Sequence, residues 1–79
     1  MVRYYFHVRK RGQLTRDEEG IDLPDISAAK QEALQGAREL LAEAIKTGRP
    51  SVPDALVITD EAGHEVDTVP LQMLLPKPF

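Results

Sequence analysis

A chain of 79 residues has room for one small domain, which buries only about 60% of its unfolded surface and leaves no second domain to hold a substrate. It contains no cysteine, which excludes a disulfide framework and a thiolate zinc site and fits a reducing, cytoplasmic setting. The net charge of −3 argues against a protein that binds nucleic acid over its whole surface, and no window reaches the roughly 18 to 20 apolar residues of a membrane span.

The first strand is expected at the start of the chain. In "RYYFHVRKRG", Tyr4, Phe6 and Val8 fall on one face at period two. Arg3, Tyr5, His7 and Arg9 fall on the other. The charges at Arg3, Arg9, Lys10 and Arg11 also break any apolar run of the kind a signal peptide needs. Arg11-Gly12-Gln13 reads as a turn, with Gly12 free to adopt positive φ. Leu14 to Arg16 then returns antiparallel. "DEEG" at 17–20 reads as a second reversal or a bulge. Ile21 and Leu23 alternate with Asp22 and continue or restart the strand up to Pro24.

The helix is the clearest element. Asp25 is the expected N-cap, with Ser27 as the rival. At about 100° per residue, Ile26, Ala29, Ala33, Leu34, Ala37, Leu40, Leu41, Ala44 and Ile45 share one broad arc. Lys30 intrudes on it, and its stem can lie along the surface with the ammonium in water. Gly36 sits at the edge of the arc, where it costs about 1 kcal/mol against alanine with no reason visible in the sequence. Gly48 is a natural residue to end the helix, and Pro50 blocks its continuation. Lys46 and Arg49 complement the helix dipole.

"RPSVPD" reads as a linker. "ALVITD" is a strand with Leu56 and Ile58 on one face and Val57 and Thr59 on the other. "DEAGHE" is a hairpin turn with Gly63 left-handed, and "EVDTV" is the paired strand. Pro70 places the segment after it at an edge or terminus. "LQMLL" is too short to assign, and residues 76–79 are expected to be a loose tail outside an ordered core of about residues 2–71. The fold class is therefore α+β: a single domain over 1–79, two layers in the order β-β-α-β-β, with one helix on one face of an antiparallel sheet.

A single helix leaves the other sheet face open. Arg3, Tyr5, His7 and Arg9 form a candidate binding row there, since guanidinium groups beside aromatic rings can hold phosphates and stack on bases. The opposing reading is a solvated face. The basic residues of 1–16 adjoin the acids of 17–25, and such blocks neutralise each other across paired strands. The acids of "DEEGIDLPD" do not follow the calcium-loop spacing. His7 and His64 lack metal-ligand spacing, and His7 reads as a surface histidine. Ser27 and Ser51 lack the strand–turn–helix setting of a nucleophile. The expectation is no catalytic residue, no metal site, no cofactor and no enzyme.

"RYYFHVR", "DEEGIDLPD", the alanine-rich helix and "ITDEAGHEV" together resemble a small bacterial domain family of unknown function, found mainly in alphaproteobacteria and often as standalone proteins. The resemblance spans residues 3 to about 71 and brings no assigned activity. The hairpin, the "DLPD" junction, the helix and "GRPSVPD" also resemble, less closely, the small domain of HicB-type antitoxins, without that family's glycine-rich turn. The leading expectation is a non-catalytic binding or assembly module that self-associates as a homodimer or binds a protein partner. The alternative is a nucleic-acid-binding or toxin-binding protein that uses the open sheet face.

Overall fold

The computed structural model describes residues 1–48 and 52–74. Strand β1 (Val2–Lys10) is followed by β2 (Gln13–Thr15), β3 (Ile21–Leu23), helix α1 (Ile26–Thr47), β4 (Ala55–Thr59) and β5 (Glu65–Pro70). A short 3-10 turn, Leu71–Leu74, comes last. The fold is α+β, with α1 packed on one face of a five-stranded antiparallel sheet. Arg49, Pro50, Ser51 and the expected tail at 76–79 lie outside the described residues.

The order is β-β-β-α-β-β rather than β-β-α-β-β. The returning strand of the first hairpin is split in two. Strand β2 pairs with one end of β1 (Val8↔Thr15 to Lys10↔Gln13), and β3 pairs with the other (Val2↔Leu23 to Tyr4↔Ile21). Residues 16–20 leave the ladder between them. On its far side β1 pairs with β4, and β4 with β5, giving the order β2-β1-β4-β5.

Local chemistry explains these elements. Lys10 pairs with Gln13, so the β1–β2 loop is the two residues Arg11 (φ 52) and Gly12 (φ 77). Positive φ at both loop positions is the twist that suits a tight hairpin. Asp25 caps α1 by accepting from the Ala28 N–H at 2.9 Å. Gly48 closes the helix in the left-handed conformation, its N–H reaching the Ala44 and Ile45 carbonyls.

Period two assigns the faces as expected. Tyr4, Leu56, Ile58 and Val69 form the core with Ala29, Ala33, Ala37 and Leu41, while Phe6 and Val8 pack against it. Leu71 of the 3-10 turn is also buried there, a role its short segment did not reveal. The apolar arc of α1 is narrower than expected. Ile45 is 74% exposed and Ile26 is half in water, while Ala44 beside Ile45 is buried, so Ile45 falls at the edge of the covered arc. Lys30 reaches Asp67 at 3.6 Å, as its snorkelling position allows.

Gly36 now has a setting. A β-carbon there would lie 3.6 Å from the Leu56 methyl, an ordinary contact. The Gly36→Ala variant is therefore expected to raise stability by about 0.5 to 1 kcal/mol through lower unfolded-chain entropy and higher helix propensity. Urea denaturation checks this, and a loss of stability would show that the helix-to-sheet distance cannot accommodate the methyl.

Candidate functional site

The sheet face away from α1 is laid out in rows, and it is not open throughout: His7, Ala55, Val57 and Thr59 at its centre are buried. Leu14, Arg9, Ala55 and Pro70 form one, and His7, Val57 and Thr68 the next. Tyr5, Thr59 and Glu65 come after these, then Arg3 with Asp22. All four candidate residues lie on this face, but they do not form one site. Arg3 and Arg9 are six residues apart, about 20 Å along an extended strand.

Arg3 is already engaged. Its Nε and Nη2 donate to the two Asp22 carboxylate oxygens at 2.9 and 3.1 Å, and its Nη1 donates to the Glu19 carbonyl at 3.0 Å. The bond to Asp22 and the negative charge there hold the Arg3 guanidinium above its ordinary value, and Arg3 in turn holds the Asp22 carboxyl low. This fork is the only ion pair between the basic block and the acidic block among the described residues. The expected mutual neutralisation is thus confined to one pair, and Arg9, Lys10, Arg11 and Arg16 stand outside it.

His7 is not a surface histidine. It is 8% exposed, and both ring nitrogens are engaged. The Asp17 backbone N–H donates to Nδ1 at 3.0 Å, and Nε2 lies 2.9 Å from the Thr59 hydroxyl. A donor on Nδ1 requires the lone pair there, which places the ring proton on Nε2 and makes His7 the donor to Thr59. His7 in this tautomer has no lone pair to offer as a base to Thr59, so the pair is not an activated nucleophile. Tyr5 stacks beside the ring, with centroids 6.3 Å apart and planes 3° from parallel.

Asp17, expected in a solvated turn, is instead a structural acceptor. One carboxylate oxygen accepts from the Phe6 N–H at 3.1 Å, and the other accepts from the N–H groups of Glu19 and Gly20 at 3.1 and 3.2 Å. Partial burial pushes this carboxyl up, but the donors from Phe6, Gly20 and Glu19 together outweigh burial and hold it below its ordinary value. Around Tyr5 and His7 lies a shallow cleft of about 320 Å³. Its rim carries Arg16 against the carboxylates of Asp17, Glu18, Asp60 and Glu61, a balance that repels anions. Among the described residues no group of three or more histidine, aspartate or glutamate side chains has metal-binding geometry, and no described helix is long and apolar enough to cross a membrane.

A second surface lies on the opposite side of the sheet. α1 packs mainly over β4, β5 and the 3-10 turn, which leaves the helix-side face of β1 partly uncovered. The result is a groove of about 450 Å³, floored by Phe6, Leu56 and Ala33 and walled by Gly36 and Leu40. Glu32, Glu39 and Glu43 line its rim. At about 100° per residue these three acids fall within roughly 40° of one another, so they form a stripe along one side of the helix. The glycine at position 36, at the edge of an arc of alanine, leucine and isoleucine, is the sequence signal that falls in this groove.

Neither the curated proteins nor the solved structures hold a significant match to this sequence. The family comparison does find one, over residues 3–72, a span that includes the split edge, the helix and both hairpins. The chain belongs to the family described as a domain of unknown function, DUF6894.

Proposed function

We propose that this domain is a non-catalytic binding and assembly module that acts as a homodimer. The observation that supports this most is the uncovered groove beside α1, with its apolar floor and acidic rim. Apolar surface left in water is a feature of interaction sites. The cytoplasmic setting belongs to the same reading and rests on the absence of cysteine. Two of the four candidate groups on the face away from α1 are spent on structure. His7 donates to Thr59 and accepts from Asp17, and Arg3 is held by Asp22.

Two features narrow how assembly occurs. The free edge of β5 is poorly suited to strand pairing, because Pro70 has no N–H and the Thr68 N–H is taken by its neighbour Asp67 at 2.8 Å. Association through side-chain surfaces therefore fits better than strand pairing at the β5 edge. The nucleic-acid alternative loses ground because Arg3 is neutralised and the cleft beside Tyr5 is rimmed by acids.

The test is sedimentation of the full chain over a range of concentrations, alongside titration with short single-stranded RNA and DNA at two salt levels. The expected result is a concentration-dependent dimer with no oligonucleotide binding. A strict monomer that binds oligonucleotide, with affinity falling steeply as salt rises, would replace this reading with the nucleic-acid one.

A further inference from the structure

The cationic end of the molecule carries more cations than carboxylates: Arg9, Lys10 and Arg11 stand beside Asp54. Arg9, Lys10 and Arg11 lie at the β1–β2 turn, and among the described residues none of them makes an ion pair. Leu14 sits opposite Arg9 in the ladder and is 44% exposed. An exposed apolar side chain beside Arg9 thus projects from one end of the sheet. The hairpin is also held rigid. The Arg11 N–H donates to the Asp54 carboxylate at 2.9 Å, and the Asp54 N–H donates to the Arg9 carbonyl at 2.8 Å. A surface fixed in this way loses little freedom on binding.

The groove beside α1 is the inverse of this tip: an apolar floor edged by Glu32, Glu39 and Glu43. None of these acids makes an ion pair among the described residues. Glu39 and Glu43, at i and i+4, repel each other along the helix. We propose that the β1–β2 hairpin tip of one copy seats in the α1 groove of a second copy, with Leu14 over the apolar floor and the arginines against the glutamate stripe. Two-fold symmetry makes the contact reciprocal, each copy giving its hairpin and receiving the other's. The inference rests on the assembly reading and gives it a surface and a partner.

Charge reversal tests it on the full chain. One variant carries Glu39→Lys and Glu43→Lys, and the other carries Arg9→Glu and Arg11→Glu. All four side chains are exposed, so the fold is expected to survive, and thermal melting followed by circular dichroism verifies this. Each variant alone sets like charges against each other in both contacts, and dimerisation measured by sedimentation is expected to weaken by at least about tenfold. An equimolar mixture restores opposite charges in one of the two reciprocal contacts and leaves the other with both charges reversed, hence also complementary, so it is expected to recover the wild-type dimer. Should a double variant fail to fold, the single changes Glu39→Lys and Arg11→Glu carry the same mixing test with a smaller effect.

Wild-type dimers accompanied by two variants that dimerise equally well would overturn the groove-and-hairpin contact and leave assembly through another surface. Variants that weaken the dimer but do not rescue each other on mixing would also overturn it. A wild-type chain that stays monomeric at every concentration would remove this contact and the assembly reading together.

Discussion

Gly20→Ala is expected to destabilise the domain by about 3 kcal/mol, well beyond what loss of a surface glycine costs. Two separate terms add at this position. Gly20 has φ +70, where a side chain costs about 1 to 2 kcal/mol. A β-carbon would also meet the Tyr4 carbonyl oxygen, Arg3 Cγ and Tyr5 Cε2, each at 2.9 Å. The two side chains could shift, but the Tyr4 oxygen belongs to β1 at the point where β3 joins it, so the backbone itself must move. Gly12→Ala is the internal control. Gly12 has a similar φ of +77 and nothing within 4 Å of the added carbon, so it carries the dihedral cost alone, about 1 kcal/mol. A domain of this size has only about 4 to 12 kcal/mol in total, so urea denaturation resolves the difference easily. Equal losses in the two variants would show that the approach of residue 20 to β1 is not tight in solution.

That contact also shows where reading the sequence succeeded and where it stopped. Strict alternation in β1 and β4 assigned both faces correctly, because one buried face fixes the parity of every residue in a strand. The helix start and end were legible because capping is local chemistry: an aspartate at 25 and a glycine at 48 need no distant partner to act. The split edge was legible only as a reversal or bulge before the strand restarts at Ile21. "DEEG" resembles a solvated turn, and nothing in its composition says that Asp17 reaches back 11 residues to satisfy Phe6. The same gap concealed the state of His7. Its row was assigned correctly, but its burial and its tautomer depend on the Asp17 N–H and the Thr59 hydroxyl, which the fold brings from 10 and 52 residues away. Ile45 failed for another reason. It lies at the edge of the periodic arc, beside the buried Ala44, and how wide an arc the packing covers is a tertiary property that helical periodicity does not carry.

The second large effect is expected at Asp17, whose carboxylate bridges the two halves of the split edge. Between β2 and β3 the ladder along β1 is interrupted, and the Phe6 N–H faces the gap. Asp17 fills it with one oxygen and orders the 17–20 turn with the other. Asp17→Ala removes three acceptor bonds and leaves the Phe6 N–H without its partner. The expected loss is about 2 kcal/mol at neutral pH, less than three charge-assisted bonds would suggest, since water still reaches the site. Asp17→Asn keeps the shape but turns an amide donor or a weaker acceptor toward the N–H groups, and it is expected to recover only part of the loss. The bond from the Asp17 N–H to His7 comes from the backbone and is common to all three proteins, so it cancels in the comparison. The pH dependence fixes the cause. The Asp17 carboxyl is held below its ordinary value in the folded protein, so its contribution is fully present above the unfolded value of about 3.9 and is lost as pH falls through the lower folded value. The stability gap between wild type and Asp17→Ala should therefore be constant from pH 7 to about pH 5 and shrink below pH 4. Asp22 and Asp60, held low by the Arg3 guanidinium and by the His64 N–H respectively, weaken both proteins in the same acid range, so the gap is the informative quantity and the absolute stability is not. A gap that stays unchanged down to pH 2 would mean that the loss comes from the shape of the 17–20 turn, and that the charge of Asp17 plays no part in holding β2 and β3 to one strand.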